Sequence, residues 1–166
     1  MMRVLAVDVG LRISGYVVCE VNNFNIRLIR EGEIKPPKDK RLSQKLFFIY
    51  KELAQIIEEF RPRALIAEKL YSHYRHPTTV SLLSHVKGTI LILGEIYKID
   101  FYEYSPTKAR KSFLGKGSVH SYQVKRMAEN ILGLKLKSQH TADAFSLVVA
   151  FSHNLKKKLL ENDWED

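Results

Sequence analysis

Arg3-Val4-Leu5-Ala6-Val7-Asp8 is an apolar run closed by a carboxylate. A strand buried on both faces of a sheet reads this way, whereas a strand with one wet face alternates. Ala64-Leu65-Ile66-Ala67-Glu68 repeats the pattern much further along the chain. Working outward from the first run, Gly10 and Gly15 bracket a short turn, and Tyr16 to Val21 reads as a second strand. Asn22-Asn23 marks a hairpin turn, and Asn25 to Ile34, mixed in charge, reads as an edge strand. The opening of the chain is therefore predicted to be a three-strand antiparallel meander.

The polar, proline-containing connector Lys35 to Lys40 follows. Leu42, Leu46, Ile49, Tyr50, Leu53, Ile56, Ile57 and Phe60 then recur at spacings of three and four, predicting an amphipathic helix that stops before Pro62. After the Ala64–Glu68 strand, a second helix is predicted from about Thr78 to Tyr97, with Gly88 and Gly94 admitting close packing. Ile99 to Tyr104 reads as a fifth strand. Ser105-Pro106 is a helix start, with a capping hydroxyl followed by proline at the first helical position. This short basic helix carries Lys108, Arg110 and Lys111, and the loop Gly115-Lys116-Gly117-Ser118 interrupts it. Tyr122 to Leu132 has helical period and stops at Gly133. The last helix begins near His140. Its segment Ala144 to Phe151 is apolar all round and is predicted to be buried, with a charged, frayed tail from Asn154. The expectation is one α/β domain over residues 1–155, built on a five-stranded mixed sheet flanked by helices, with residues 156–166 as tail.

Charge narrows the function. Among 166 residues, 27 Lys and Arg face 18 Asp and Glu, a net charge of +9. The pI is near 9.6. That balance favours a polyanionic partner, most often nucleic acid, because neutralising phosphates releases counterions. No segment pairs a basic face with a Trp/Phe/Leu face, and no apolar run reaches 18 residues, so no membrane partner is expected. The early carboxylate Asp8 argues against a signal peptide. Cys19 is the only cysteine, which excludes an internal disulfide and a Cys-rich zinc cage. It reads as a small core residue in a chain suited to the reducing cytoplasm.

Candidate chemistry starts from Asp8 and Glu68. Buried charges cost several kcal/mol unless paired or metal-bound. If their strands are adjacent and parallel, both carboxylates emerge at the C-terminal edge of the sheet, where α/β ligand sites occur. The plainer alternative is that each caps a strand end in solvent or pairs with a lysine such as Lys69. His140 and Asp143, at i and i+3 in the first turn of a buried helix, share one face. Alternatively, Asp143 is a helix-start carboxylate and His140 a loop residue. Oxygen and nitrogen donors from three separate elements are what an Mg²⁺ or Mn²⁺ site needs, and paired ions can drive phosphodiester hydrolysis. His73-Tyr74-Arg75-His76 lacks the acidic or Cys partners of a zinc site and reads as a polar, DNA-facing loop.

These pieces resemble the RuvC Holliday-junction resolvases of the RNase H-like superfamily. The resemblance runs through Ala6-Val7-Asp8-Val9-Gly10 with Ser14-Gly15, then Ala67-Glu68-Lys69-Leu70-Tyr71. It continues through Gly115-Lys116-Gly117-Ser118-Val119 with Gln123-Val124 and ends in His140-Thr141-Ala142-Asp143-Ala144. It implies an RNase H-like fold and a site of Asp8, Glu68, His140 and Asp143 acting as catalytic groups and ligands to Mg²⁺. Where most of the family has Asp, this chain has His140, which lowers the negative charge and makes Mn²⁺ a candidate substitute. Tyr71 falls where the family has a base-stacking aromatic, and an ordinary half-buried loop tyrosine is the alternative. Arg110 matches a family phosphate contact, with Lys108 and Lys111 nearby, unless the three form only a solvated face. A family lysine falls at Ser121, which leaves that role vacant unless Lys116 or His120 supplies it. The implied protein is a homodimeric endonuclease on four-way DNA, with a branch-migration helicase as partner. A related nuclease on other branched DNA or RNA–DNA hybrids, or a non-catalytic nucleic-acid-binding module, stands beside it. An actin-like ATPase needs two such lobes and is disfavoured by length.

Overall fold

The computed structural model describes residues 1–22, 25–70, 76–115 and 120–162, with side chains as far as Leu155. Three strands open it: β1 (Met2–Asp8), β2 (Ser14–Val21) and β3 (Ile26–Ile34). Then come α1 (Leu42–Phe60), β4 (Ala64–Glu68), α2 (Pro77–Tyr97) and β5 (Asp100–Tyr104). Three helices close the chain: α3 (Pro106–Leu114), α4 (Ser121–Leu132) and α5 (Gln139–Asn162). The strands form one sheet in the order β3-β2-β1-β4-β5. β1, β2 and β3 pair antiparallel, and β4 runs parallel to both β1 and β5. The meander, the buried centre and the edge position of β3 all follow the expectation.

Successive side chains of a strand point to opposite faces, and here the two faces carry separate cores. Val4, Ala6, Val17, Cys19 and Ile66 pack with Phe113, Val124, Phe145, Val148 and Phe151 of α3, α4 and α5. Leu5, Val7, Val18 and Leu65 pack on the other side with Ile49, Leu53 and Ile57 of α1 and Val86, Ile90 and Leu93 of α2. β1 lies between both helical layers, which is why its sequence shows no alternation.

α1 ends at Arg61, whose φ of 47° turns the chain left-handed just before Pro62. β2 starts earlier than its apolar run because Ser14 closes the preceding turn. Its hydroxyl accepts from the Gly10 amide at 3.1 Å and donates to the Gly10 carbonyl at 2.6 Å.

Two expectations need correction. A Cβ at Gly94 would sit 3.3 Å from the Ile99 carbonyl oxygen, so that glycine does mark a close approach, but one at Gly88 would meet nothing within 4 Å. Gly88 lies on the side of α2 that faces away from the sheet. Helix α5 also continues past Asn154 to Asn162. α2 is long and apolar enough for a membrane span by length and composition alone. Leu83, Val86, Ile90 and Leu93 nonetheless bury one of its faces in the second core, as in a layered domain.

Candidate active site

The parallel register pairs Val7 of β1 with Ala67 of β4. The next residues, Asp8 and Glu68, therefore leave the sheet side by side at its C-terminal end. The turn after Asp8 needs glycine, since a Cβ at Gly10 would lie 2.0 Å from the Ile13 carbonyl oxygen. On the other side of Asp8, the antiparallel ladder pairs it with Gly15. A Cβ at Gly15 would fall 2.3 Å from the carbonyl carbon of His140 and 2.6 Å from its Cβ. The bare backbone of β2 thus lets the first turn of α5 settle directly beside Asp8.

That first turn is clasped by its own side chains. The Ser138 amide donates to Thr141 Oγ1 at 3.2 Å, and the Thr141 amide donates to Ser138 Oγ at 3.3 Å. Each end thereby satisfies an otherwise orphaned helix-start amide. Helix periodicity then turns His140 and Asp143 toward the same cleft.

His140 donates from Nδ1 to Oδ2 of Asp8 at 2.8 Å. This bond is the main reason the imidazole pKa is raised. Partial burial opposes it, and the nearby charges of Asp8, Glu33 and Asp143 add to it. With Nδ1 committed to Asp8, Nε2 is the ring nitrogen left for another partner. Asp143 is pushed up to about 6, first by burial and then by the negative charge of Asp8. Gln139 Nε2, donating to Asp143 Oδ1 at 3.2 Å, works in the opposite direction, as do the charges of Arg110 and His140. Glu33 of β3 is held below the ordinary carboxyl range by hydrogen bonds from Lys35 and Ser138.

Asp8, Glu68, Arg110, Ser121, His140 and Asp143 line one open cleft of about 720 Å³. All four expected acid and imidazole groups are brought to it, together with one of the three basic residues of α3. Lys108 instead sits with Nζ 5.4 Å from the ring centre of Tyr104. Lys111 is exposed in the last turn of α3 and is not part of the lining. Tyr71 and Lys116 lie outside the described residues, as do His73, Tyr74 and Arg75 of the polar loop. Gln139 and Glu33 escaped sequence reading. Gln139 has a signal, being one turn before Asp143, whereas Glu33 meets the α5 start only through the tertiary fold.

Among the described residues, no three His, Cys, Asp or Glu side chains stand close enough together to grip a metal as they are. The donor chemistry nevertheless fits a divalent cation. Carboxylate oxygens with one imidazole suit Mg²⁺ or Mn²⁺, and the charge of Asp8 raising Asp143 is a repulsion that a cation would relieve.

A five-stranded mixed sheet with an acidic cleft at the C-terminal ends of two adjacent parallel strands defines an RNase H-like nuclease fold. The sequence matches the family described as crossover junction endodeoxyribonuclease RuvC over residues 4–153. The chain belongs to this RuvC family. It is 30% identical over 161 residues to the crossover junction endodeoxyribonuclease RuvC of Halothermothrix orenii, covering 95% of this chain and 97% of that one. The protein of the same name from Alkaliphilus metalliredigens is 29% identical over 155 residues, covering 92% and 94%. Among solved structures, Thermus thermophilus RuvC in complex with Holliday junction substrate superposes with a TM-score of 0.85. It is 22% identical, with 95% of this chain and 97% of that one covered.

Proposed function

We propose that the chain resolves four-way DNA junctions by hydrolysing phosphodiester bonds in the cleft beyond β1 and β4. One observation carries this reading: Asp8, Glu68 and the pair His140 and Asp143, from three elements far apart along the chain, line a single cleft with Arg110. Membership of the RuvC family supports it, as does the solution of a Thermus relative with a Holliday junction.

Asp8, Glu68, His140 and Asp143 are the residues that would hold divalent ions, Mg²⁺ with Mn²⁺ as substitute. Such ions, when bound, lower the pKa of water and neutralise charge on the attacking and leaving oxygens. The chain's own groups do the positioning. His140, bonded to Asp8 at 2.8 Å, fixes the direction in which that carboxylate presents its other oxygen. Arg110, whose charge reaches Asp143, offers a cation to a phosphate entering the cleft. Apolar residues in the cleft wall, Val9 and Leu83 among them, displace part of the water around these charges, which strengthens their action relative to bulk water.

A symmetric junction is resolved by two nicks on opposed strands, so we read the working species as a homodimer. The outward edge of α2, with Leu91, Ile92 and Ile96 exposed by 42%, 58% and 53%, is the apolar face a second copy would cover. A branch-migration helicase would act on the same DNA, in a cytoplasmic setting that suits the unpaired Cys19.

The test is nicking of a four-way junction, a flap, a duplex and an RNA–DNA hybrid with Mg²⁺ or Mn²⁺. The junction should be cut fastest, with no cutting in chelator. Asp8→Asn should lower the rate by about 100-fold or more, since even partners behind metal ligands cost 10–100-fold. Full activity of Asp8→Asn, or equal cutting of duplex and junction, would overturn the reading.

A further inference from the structure

At the rim of the cleft, the start of α4 carries two rings that the acid chemistry does not use. Tyr122 is 66% exposed, and His120 stacks against it with ring centres 5.9 Å apart and planes within 14°. Ser121, between them, lines the cleft. The backbone that carries both rings is fixed in place. The His120 amide donates to Gln123 Oε1 at 3.0 Å, the Gln123 amide donates back to the His120 carbonyl at 3.0 Å, and Val124 and Ala128 anchor the helix in the core. Arg126, also exposed, lies one turn beyond Tyr122 on the same helix face.

We propose that Tyr122, backed by His120, is a stacking platform for an unpaired nucleobase at the branch point, with Arg126 meeting the neighbouring phosphate. An aromatic face beside a cation is how single-stranded nucleic acid is held without sequence preference. The chain's net charge of +9 supplies the field that brings the strand there. A continuous duplex offers no free base face, whereas a branch point does, so the platform distinguishes branched from unbranched DNA. Tyr122 is on this account a positioning residue, which holds the strand while other groups perform the chemistry. The inference rests on the junction-nuclease reading and specifies how its substrate is chosen.

The experiment uses the full chain and a four-way junction carrying 2-aminopurine beside the branch point, in chelator so that no cutting competes. The wild type should quench the probe. Tyr122→Ala should abolish the quenching and weaken junction binding by roughly 5- to 150-fold, the range that base stacking on an aromatic ring supports. Its affinity for plain duplex should be unchanged, and Tyr122→Phe should restore quenching and affinity. With metal added, Tyr122→Ala should raise KM and leave kcat near the wild-type value. Wild-type quenching and affinity in Tyr122→Ala would overturn the platform, as would an equal loss on junction and duplex. Failure of the wild type to cut any junction would instead overturn the nuclease reading, and the binding comparison would still decide the platform.

Discussion

Replacing Gly15 by alanine tests how the fold delivers the cleft. The added Cβ would stand 2.3, 2.4 and 2.6 Å from the carbonyl carbon, carbonyl oxygen and Cβ of His140. Ordinary contact begins near 3.4 Å, so the first turn of α5 must lift from β2 by about an ångström. Two of the three obstructing atoms are backbone, which leaves no side chain to swing aside. Overpacking of this kind costs about 1–3 kcal/mol, which for a chain of this size lowers Tm by roughly 2–12 °C. The lift also draws His140 and Asp143 away from Asp8, because Gly15 is the ladder partner of Asp8. A displacement of about 1 Å can cost on the order of 100-fold in rate. Thermal unfolding and single-turnover cleavage of a four-way junction, both below the Tm of the variant, separate the two effects. Gly15→Ala should remain folded and cut about 100-fold more slowly. A variant with wild-type Tm and wild-type rate would refute the claim that this close approach seats the site.

Other consequences follow from burial and charge. With its folded-state pKa at about 6 against an ordinary 3.8, Asp143 binds its proton more tightly in the folded chain. Stability of the metal-free protein should therefore fall as pH rises across that window, by on the order of 3 kcal/mol. His140 acts in the same direction at higher pH, because the stability from its raised pKa is lost as pH climbs through the folded-state value. Asp143→Asn should accordingly raise the Tm of the metal-free protein at pH 7.5 while abolishing cleavage, and a lower Tm would contradict the assignment of burial as the dominant cause. Cys19 is fully buried, and burial pushes its thiol well up. It should ignore a thiol reagent such as DTNB in the native protein and react fully once denatured, whereas rapid native labelling would show that the first core opens.

What the sequence disclosed depended on how local the cause was. The bounds of α1 and β4 can be read directly, because each is set by nearby periodicity and by Pro62. The uninterrupted apolar runs announced the buried strands, and the carboxylates ending them announced the site, since parallel neighbours in register must release Asp8 and Glu68 together. Gly88 and Gly94 look alike in a helical pattern, yet only Gly94 faces a neighbouring backbone, and which side of α2 meets the sheet is a tertiary fact. The same limit applies to Lys108, drawn onto the ring of Tyr104, and to Glu33, which joins the site from the opposite end of the meander. His120 and Tyr122 were visible as residues, but their stacking at the cleft rim emerged only once Ser121 was seen to line it.

Helix α5 explains why an acidic cleft and a stable core coexist in so small a domain. Its middle, through Phe145, Val148 and Phe151, is buried against β1, β2 and β4. Its first turn, continuous with that rod, carries His140 and Asp143 to the sheet edge. The unfavourable burial of Asp143 is therefore borne by a helix that hydrophobic packing already fixes, and the carboxylate cannot relax by moving alone. Chemistry that tolerates little displacement belongs on such an element. The groups proposed to meet DNA, Arg110 in the middle of α3 and Tyr122 in the first turn of α4, sit instead on shorter helices beside the cleft, where a shift of a side chain leaves the core intact.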